Sequence, residues 1–329
     1  MTKPLERDEM NMDFTPTVIR DKHDRLMNEL KKVIVGQDEF LEHLVIALFT
    51  GGHVLIEGVP GIGKTMSAKT LARTFKADFA RIQFTPDLLP SDVTGTKVFD
   101  VKNSAFYFKK GPVFTNILLA DEINRATPKT QSALLECMEE GNVTIDGETY
   151  ELPKPFMVLA TMNPLEFEGT YPLPEAQLDR FLMKLTINHL PPVQEEMLLK
   201  RVNETGGAIS PETVSPVVEP EEWFSVVQEI GRVYVNENII RYITSIIYAT
   251  RTSGAVLLGA SSRASIALMK CAKTVAAVSG RDFVIPEDVI EVVKPVLRHR
   301  IIVKPETLLD NVTVDDILEG ILRTVEIPR

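Results

Sequence analysis

Residues 58–65 read GVPGIGKT and fit the pattern G-x-x-x-x-G-K-[ST]. Glycine at 58, 61 and 63 lets a backbone wrap an anion with successive N–H groups, and a helix opening at Lys64 would add the positive end of its dipole. Gly58, Pro60, Gly61, Ile62, Gly63 and Met66 would then form the cradle around a ligand's phosphates. Lys64 would reach the β- and γ-phosphates, and the Thr65 hydroxyl would take a place on Mg2+. A second element, ILLADE, puts Asp121 and Glu122 at the end of an apolar run, 57 residues beyond Lys64. Asp121 would hold the metal through water, and Glu122 would be the general base or orienter for an attacking water. Acids after a strand commonly just cap a helix; it is the pairing with GVPGIGKT that points to chemistry. A third run, MVLATMN, ends in Asn163. Its amide could hydrogen-bond both the water and a γ-phosphate oxygen, or could simply begin the turn at Pro164.

These residues need elements to carry them. Short apolar runs at 53–58, 79–85, 116–122 and 156–163 alternate with helical periodicity at 64–75 and 128–140, the pattern of a parallel sheet with helices on its faces. Ligands of such sheets bind at the carboxyl ends of the strands, where Asp121, Glu122 and Asn163 fall. The segments 94–111 and 142–152 carry turn residues between β-formers, with Asp146-Gly147 a two-residue hairpin signal, and lie outside that sheet on this reading. Upstream, 21–34 and 37–50 have apolar positions three and four apart, and Gly51-Gly52 stops the second. Pro191-Pro192 ends the alternation. Beyond it, helices are predicted at 193–204, 220–231, 236–252, 261–279, 286–297 and 313–324, with 206–219 a loop. The fold class is α/β followed by a smaller all-α domain, divided as an N-terminal helical segment (1–32), a nucleotide-binding core (33–190) and a helical domain (191–329).

The 329 residues are 44% hydrophobic and 25% charged, which excludes disordered and fibrous classes. With 36 Lys and Arg against 46 Asp and Glu, the net charge of −10 argues against a broad electrostatic grip on nucleic acid or an anionic membrane, though not against a local basic groove. Cys137 and Cys271 are too few for a disulfide framework, lack metal-ligand spacing and read as core residues. The five histidines share no helix face and do not suggest zinc. No apolar run approaches the ~18 residues of a membrane span. The charged N-terminus MTKPLERDEMNMDF is unlike a signal peptide, so a cytoplasmic location is expected.

With these motifs in place, the chain resembles an AAA+ ATPase, and within that superfamily the MoxR family, from about Val33 to Ile301. The resemblance rests on IVGQDE, GVPGIGKT, TPDLLPSDVTG, GPVFTNILLADEINRA, NVTIDGETYELP, ATMNP, YPLPEAQLDRF, LGASSRA and GRDFVIPEDV. It implies a P-loop NTPase core, an all-α lid, and ATP and Mg2+ as ligands. Arg180 in LDRF matches the arginine finger that reaches a neighbouring subunit's site, where a guanidinium would neutralise the transferring phosphoryl group; spacing alone would leave it a surface charge. Arg263 in GASSRA matches the sensor 2 arginine at the start of a lid helix, which couples γ-phosphate to lid position on its own or a neighbour's nucleotide. Val35, Gly36 and Gln37 match the segment around adenine. Segments 86–111 and 142–152 match inserts that face a ring's axial opening, so Phe106, Tyr107 and Phe108 would touch a substrate or pack the hairpin against the core. The resemblance also implies a homo-oligomer, a hexameric ring, that remodels or activates client proteins, commonly with partners carrying a von Willebrand factor A domain.

Other functions compete. A nucleotide-gated scaffold with little turnover would not need Glu122, Asn163 or Arg180. A DNA-directed motor or regulator is opposed by the net charge of −10 and has no separate DNA-binding domain within this length. A small-molecule kinase would not need the helical second domain.

Overall fold

In the computed structural model, which describes residues 16–164, 169–207 and 209–328, two helices precede the first strand. The charged N-terminal run and part of the 1–32 segment lie outside the described residues. Helix α1 (Pro16–Val33) buries Ile19, Leu26, Met27, Leu30 and Val33, spacings of three, four and seven that share one helix face. It begins earlier than the periodicity predicts, with Pro16 as its first residue, a position where the missing N–H is harmless. Helix α2 (Asp38–Thr50) is buried over most of its surface, and Gly51 ends it at φ +78°, a left-handed conformation natural to glycine.

The chain then runs through β1 (Val54–Glu57), α3 (Lys64–Thr74), β2 (Phe79–Gln83), α4 (Pro90–Thr94), β3 (Gly95–Asp100), β4 (Ala105–Lys110), β5 (Ile117–Asp121), α5 (Pro128–Glu140), β6 (Asn142–Ile145), β7 (Glu148–Glu151), β8 (Met157–Met162), α6 (Glu175–Leu178) and β9 (Met183–Thr186). The sheet order is β2-β5-β8-β1-β9, and every pair is parallel. β3–β4 and β6–β7 are separate antiparallel hairpins, the second turning on Asp146 and Gly147, both at positive φ. Period two divides the strands between two layers. Val54, Ile56, Ile117, Leu119, Met157 and Leu159 join the cluster of α1, α2 and α3, whereas Leu55, Leu118, Ala120, Val158 and Ala160 join Leu134, Leu135 and Met138 of α5. Burial of each such leucine contributes about 2 kcal/mol. Both layers are thereby fixed to the sheet, and the carboxyl ends of β1, β5 and β8 are held in one row.

After β9 come α7 (Pro192–Glu204), α8 (Pro220–Gly231), α9 (Glu237–Thr252), β10 (Val256–Leu258), α10 (Ser262–Val278), α11 (Pro286–Leu297), β11 (Ile302–Val303), α12 (Pro305–Leu309) and α13 (Val314–Thr324). The six predicted helices match α7 to α11 and α13 within one residue at each end, because cap residues mark them. The side chains of Asn236, Ser261 and Thr313 accept from the N–H groups of Ile239, Ala264 and Asp316. The predicted loop 206–219 holds a short 3-10 turn, Pro211–Thr213. The antiparallel β10–β11 pair was not anticipated. Helix α10 shares one apolar cluster with α1 and α2, so the late helices and the first two are packed as one body.

Candidate active site

Two cavities meet on the loop 58–65. The first, about 380 Å3, is lined by Val35, Gln37, Ile62, Met66, Leu198 and Ile209, with Gly61 and Gly63 at its edge. The second, about 530 Å3, is lined by Pro60, Lys64, Thr65, Asp121, Glu122 and Asn163, and shares Gly61, Gly63 and Met66 with the first. Gly61 and Gly63 sit at φ +84° and +94°, and a Cβ on either would meet nothing within 4 Å. Conformation therefore demands glycine there, and the open space beside them is what a cradle for phosphate oxygens needs. Gly58 is glycine for a different reason: a Cβ would stand 2.4 Å from Ile62 Cδ1 and 2.8 Å from the Ile187 carbonyl. Gly36, at φ +71°, does not line the first cavity. It backs onto Gln194, whose Oε1 a Cβ would approach to 2.5 Å. Lys64 opens α3 behind Gly63, and its Nζ donates to the Gly58 carbonyl at 2.8 Å, folding the ammonium back along the loop.

The acids stand at the end of β5. The Asp121 carboxylate accepts from Arg81 Nη2 at 2.7 Å and Nε at 3.2 Å, and from Thr161 Oγ1 at 2.6 Å. Glu122 adopts φ +55°, unusual for a non-glycine residue. Its N–H donates to Thr161 Oγ1 at 2.9 Å, so one buried hydroxyl on β8 holds both acids. Its carboxylate accepts from Gln83 Nε2 at 2.6 Å and Arg125 Nη1 at 3.2 Å. Asn163 is buried just past β8 and faces the same cavity. The oxygen-only donor set of Thr65 and Asp121 suits Mg2+ and not a soft metal. Arg81, Gln83, Thr161 and Arg125 escaped the sequence reading, although polar residues at 81 and 83 alternate on an edge strand and Thr161 interrupts an apolar run. Cys137 and Cys271 are buried, and burial pushes both thiols up to about 12, so neither offers a thiolate.

The two remaining arginines lie elsewhere and together. Arg180 follows α6 and donates from Nη1 to the Leu135 carbonyl at 2.8 Å, while its Nη2 pairs with Glu139 Oε2 at 2.7 Å. Arg263, in the first turn of α10, pairs with the other oxygen of Glu139 at 2.9 Å. Neither lines the loop's cavities. On the β3–β4 hairpin, Phe108 stacks on Tyr150 at 4.3 Å and so packs the two hairpins together, whereas Phe106 and Tyr107 are exposed.

Comparisons with known proteins agree with this geometry. Residues 53–183 match the family described as ATPase family associated with various cellular activities (AAA), and residues 248–321 match the AAA lid domain. Chaperone MoxR1 of Mycobacterium tuberculosis is 41% identical over 315 residues, 93% of this chain and 82% of that protein. The uncharacterised YeaC of Bacillus subtilis is 46% identical over 92% of this chain and 94% of its own length. A crystal structure from Cytophaga hutchinsonii, of a protein whose ATPase assignment is provisional, superposes with a TM-score of 0.88 at 44% identity, covering 95% of this chain and 97% of that one. A GVPGIGKT loop and an acid pair on a five-stranded parallel sheet, a helical lid, and relatives of this identity along nearly the whole length lead to one conclusion: the chain belongs to the MoxR family of AAA+ ATPases.

Proposed function

We propose that the chain binds Mg2+-ATP across the two joined cavities and hydrolyses it, as a homo-oligomeric and hexameric ring whose shape changes remodel or activate client proteins. The observation that supports this most is the division of the site. Loop, acids and Asn163 share one cavity, while Arg180 and Arg263 meet on Glu139 and line neither cavity. Lys64, Lys69 and Arg81 give the cavity positive charge of its own, with Arg81 held on Asp121, so a further guanidinium at the transferring phosphoryl group would come from another copy. Both arginines are therefore assigned to the neighbour's nucleotide.

In this reading the base lies against Val35, Gln37, Ile62, Met66 and Leu198, and Lys64 exchanges the Gly58 carbonyl for phosphate oxygens. Thr65, and Asp121 through water, would hold Mg2+, which when bound would neutralise phosphate charge. Glu122 accepts the proton of the attacking water at a carboxylate oxygen, with Gln83 and Arg125 fixing the direction in which that carboxylate points. Asn163 orients the water without adding charge. The chain is divided at residues 32 and 190 into the N-terminal segment, core and lid. The start of the third part touches both of the others: Arg201 on α7 donates to the carbonyls of Lys31 and Lys32 in the N-terminal segment, and Val217 N–H to that of Thr74 in the core. Among the described residues no helix is long and apolar enough to cross a membrane. A cytoplasmic site of action and a von Willebrand factor A domain protein as partner complete the proposal.

Replacing Glu122 by Gln tests the chemistry. The amide keeps the shape and loses the basic oxygen, so ATP affinity should stay near parental while turnover falls by about 100-fold or more. Parental turnover in that variant would mean that another group takes the proton.

A further inference from the structure

We propose that Arg300 is a positioning residue for Arg180: it fastens the turn that presents the finger to the lid, so that the orientation of one subunit's lid sets the charge offered to its neighbour's nucleotide. The proposal rests on the reading of Arg180 as a trans-acting finger. A guanidinium has five N–H donors, and in Arg300 all five are used. Nε donates to Asp179 Oδ1 at 2.6 Å, and Nη2 to the carbonyls of Phe181 at 2.6 Å and Asp179 at 3.2 Å. Nη1 donates to the carbonyl of Leu182 at 3.0 Å and to that of Val296. Four of the five acceptors thus belong to residues 179–182, the span that contains Arg180. The side chain is 2% exposed, so it makes these bonds where water does not compete. Lysine, a point charge with three donors, could not reproduce the fork.

Three further contacts tie the same turn to the helical lid. His299 Nε2 donates to the Phe181 carbonyl at 3.0 Å; burial, with the Arg300 charge beside it, holds that imidazole well below its ordinary value and hence neutral. Ser261, the cap of α10, donates from Oγ to Asp179 Oδ2 at 3.0 Å. Two residues on, Arg263 shares Glu139 with Arg180 itself. The end of α11 and the start of α10 therefore both hold the finger's turn, and a lid rotation has to carry that turn with it or break the Arg300–Asp179 pair.

A mixed-subunit assay separates positioning from general support of the fold. Lys64→Ala subunits cannot fill their own site but carry an intact finger, and Arg180→Ala subunits have an intact site but no finger. Hydrolysis restored on mixing the two reads finger donation alone. Asp179→Asn, which removes the charge that Arg300 grips, is placed first in the finger donor and then in the finger-less acceptor. The restored rate should be at least about tenfold lower with the donor placement than with the acceptor placement. Arg300→Lys should show the same asymmetry. Equal losses in the two placements, or none in either, would overturn the proposal and leave Arg300 a packing residue. If the starting mixture restores no hydrolysis at all, the trans reading of Arg180 fails instead, before either placement is compared.

Discussion

Replacing Thr161 by Val keeps the shape of a fully buried side chain and deletes only its hydroxyl, the one atom that touches both acids of the site. Two contributions are lost. A hydrogen bond to an ionised group such as Asp121 contributes about 1.5–3 kcal/mol, and leaving the Glu122 N–H without its acceptor costs about 1–3 kcal/mol. Asp121 keeps its pair with Arg81, and Glu122 itself is only partly buried, so the combined loss should fall near the bottom of the summed range, about 3 kcal/mol. The Glu122 N–H bond also holds a residue at φ +55°, and without it the carboxylate proposed to accept the proton is free to drift. A misplacement near 1 Å lowers a rate by about 100-fold, and turnover should fall by at least about tenfold. Urea unfolding followed by circular dichroism gives the first number, and phosphate release under saturating ATP gives the second. Thr161→Ser, which retains the hydroxyl and loses one methyl, should cost about 1 kcal/mol and keep most of the turnover. A valine variant within about 0.5 kcal/mol of the parent and fully active, or a serine variant as damaged as the valine one, would refute the reasoning.

The phosphate loop and the acid limb make two further tests. Gly58→Ala should weaken ATP binding by about tenfold or more, because the added methyl pushes the loop off the Ile187 carbonyl; calorimetric affinity equal to the parent's would show that the loop tolerates the shift. His53 is enclosed between α5 and β8, with Nδ1 accepting from the Val158 N–H and Nε2 donating to the Met138 carbonyl, and burial lowers it from 6.5 to about 4. Between those values the unfolded chain binds the extra proton, so stability is complete above about pH 6.5 and about 3 kcal/mol of it is lost as the pH falls to 4. A His53 titration midpoint near 6.5, followed by NMR, would contradict this.

What was legible in the sequence was whatever local chemistry dictates. Gly61 and Gly63 announce a loop that only positive φ can close, Asp146-Gly147 announces its hairpin, and Asn236 and Ser261 announce helix starts. Strands β1, β5 and β8 were readable because both of their faces are buried, so they stand out as unbroken apolar runs. β9 was not: MKLT is short and carries Lys184, which is tolerated because its ammonium pairs with Glu57 on the neighbouring strand. The same limit applied in the site. Arg81 and Gln83 matter only because β2 pairs with β5 and brings Gln83 opposite Asp121, and Thr161 matters only because β8 lies beside β5. Sequence adjacency contains no strand order. The meeting of Arg180, Arg263 and Arg300 with Glu139 and Asp179 spans more than a hundred residues of chain and depends on α11 packing on the edge strand β9 and α10 packing on α11, which no spacing could reveal.

A second copy of the chain should complete the catalytic site. Lys64→Ala and Arg180→Ala proteins, each expected to be nearly inactive alone, should be mixed at equal concentration and assayed for ATP hydrolysis over a dilution series that ends below the assembly range. Hydrolysis well above the sum of the two separate proteins, disappearing on dilution, is the expected result, since some interfaces then pair an intact loop with an intact finger. An Arg180→Ala protein that is fully active by itself, or a mixture no more active than its components at any concentration, would contradict the central claim.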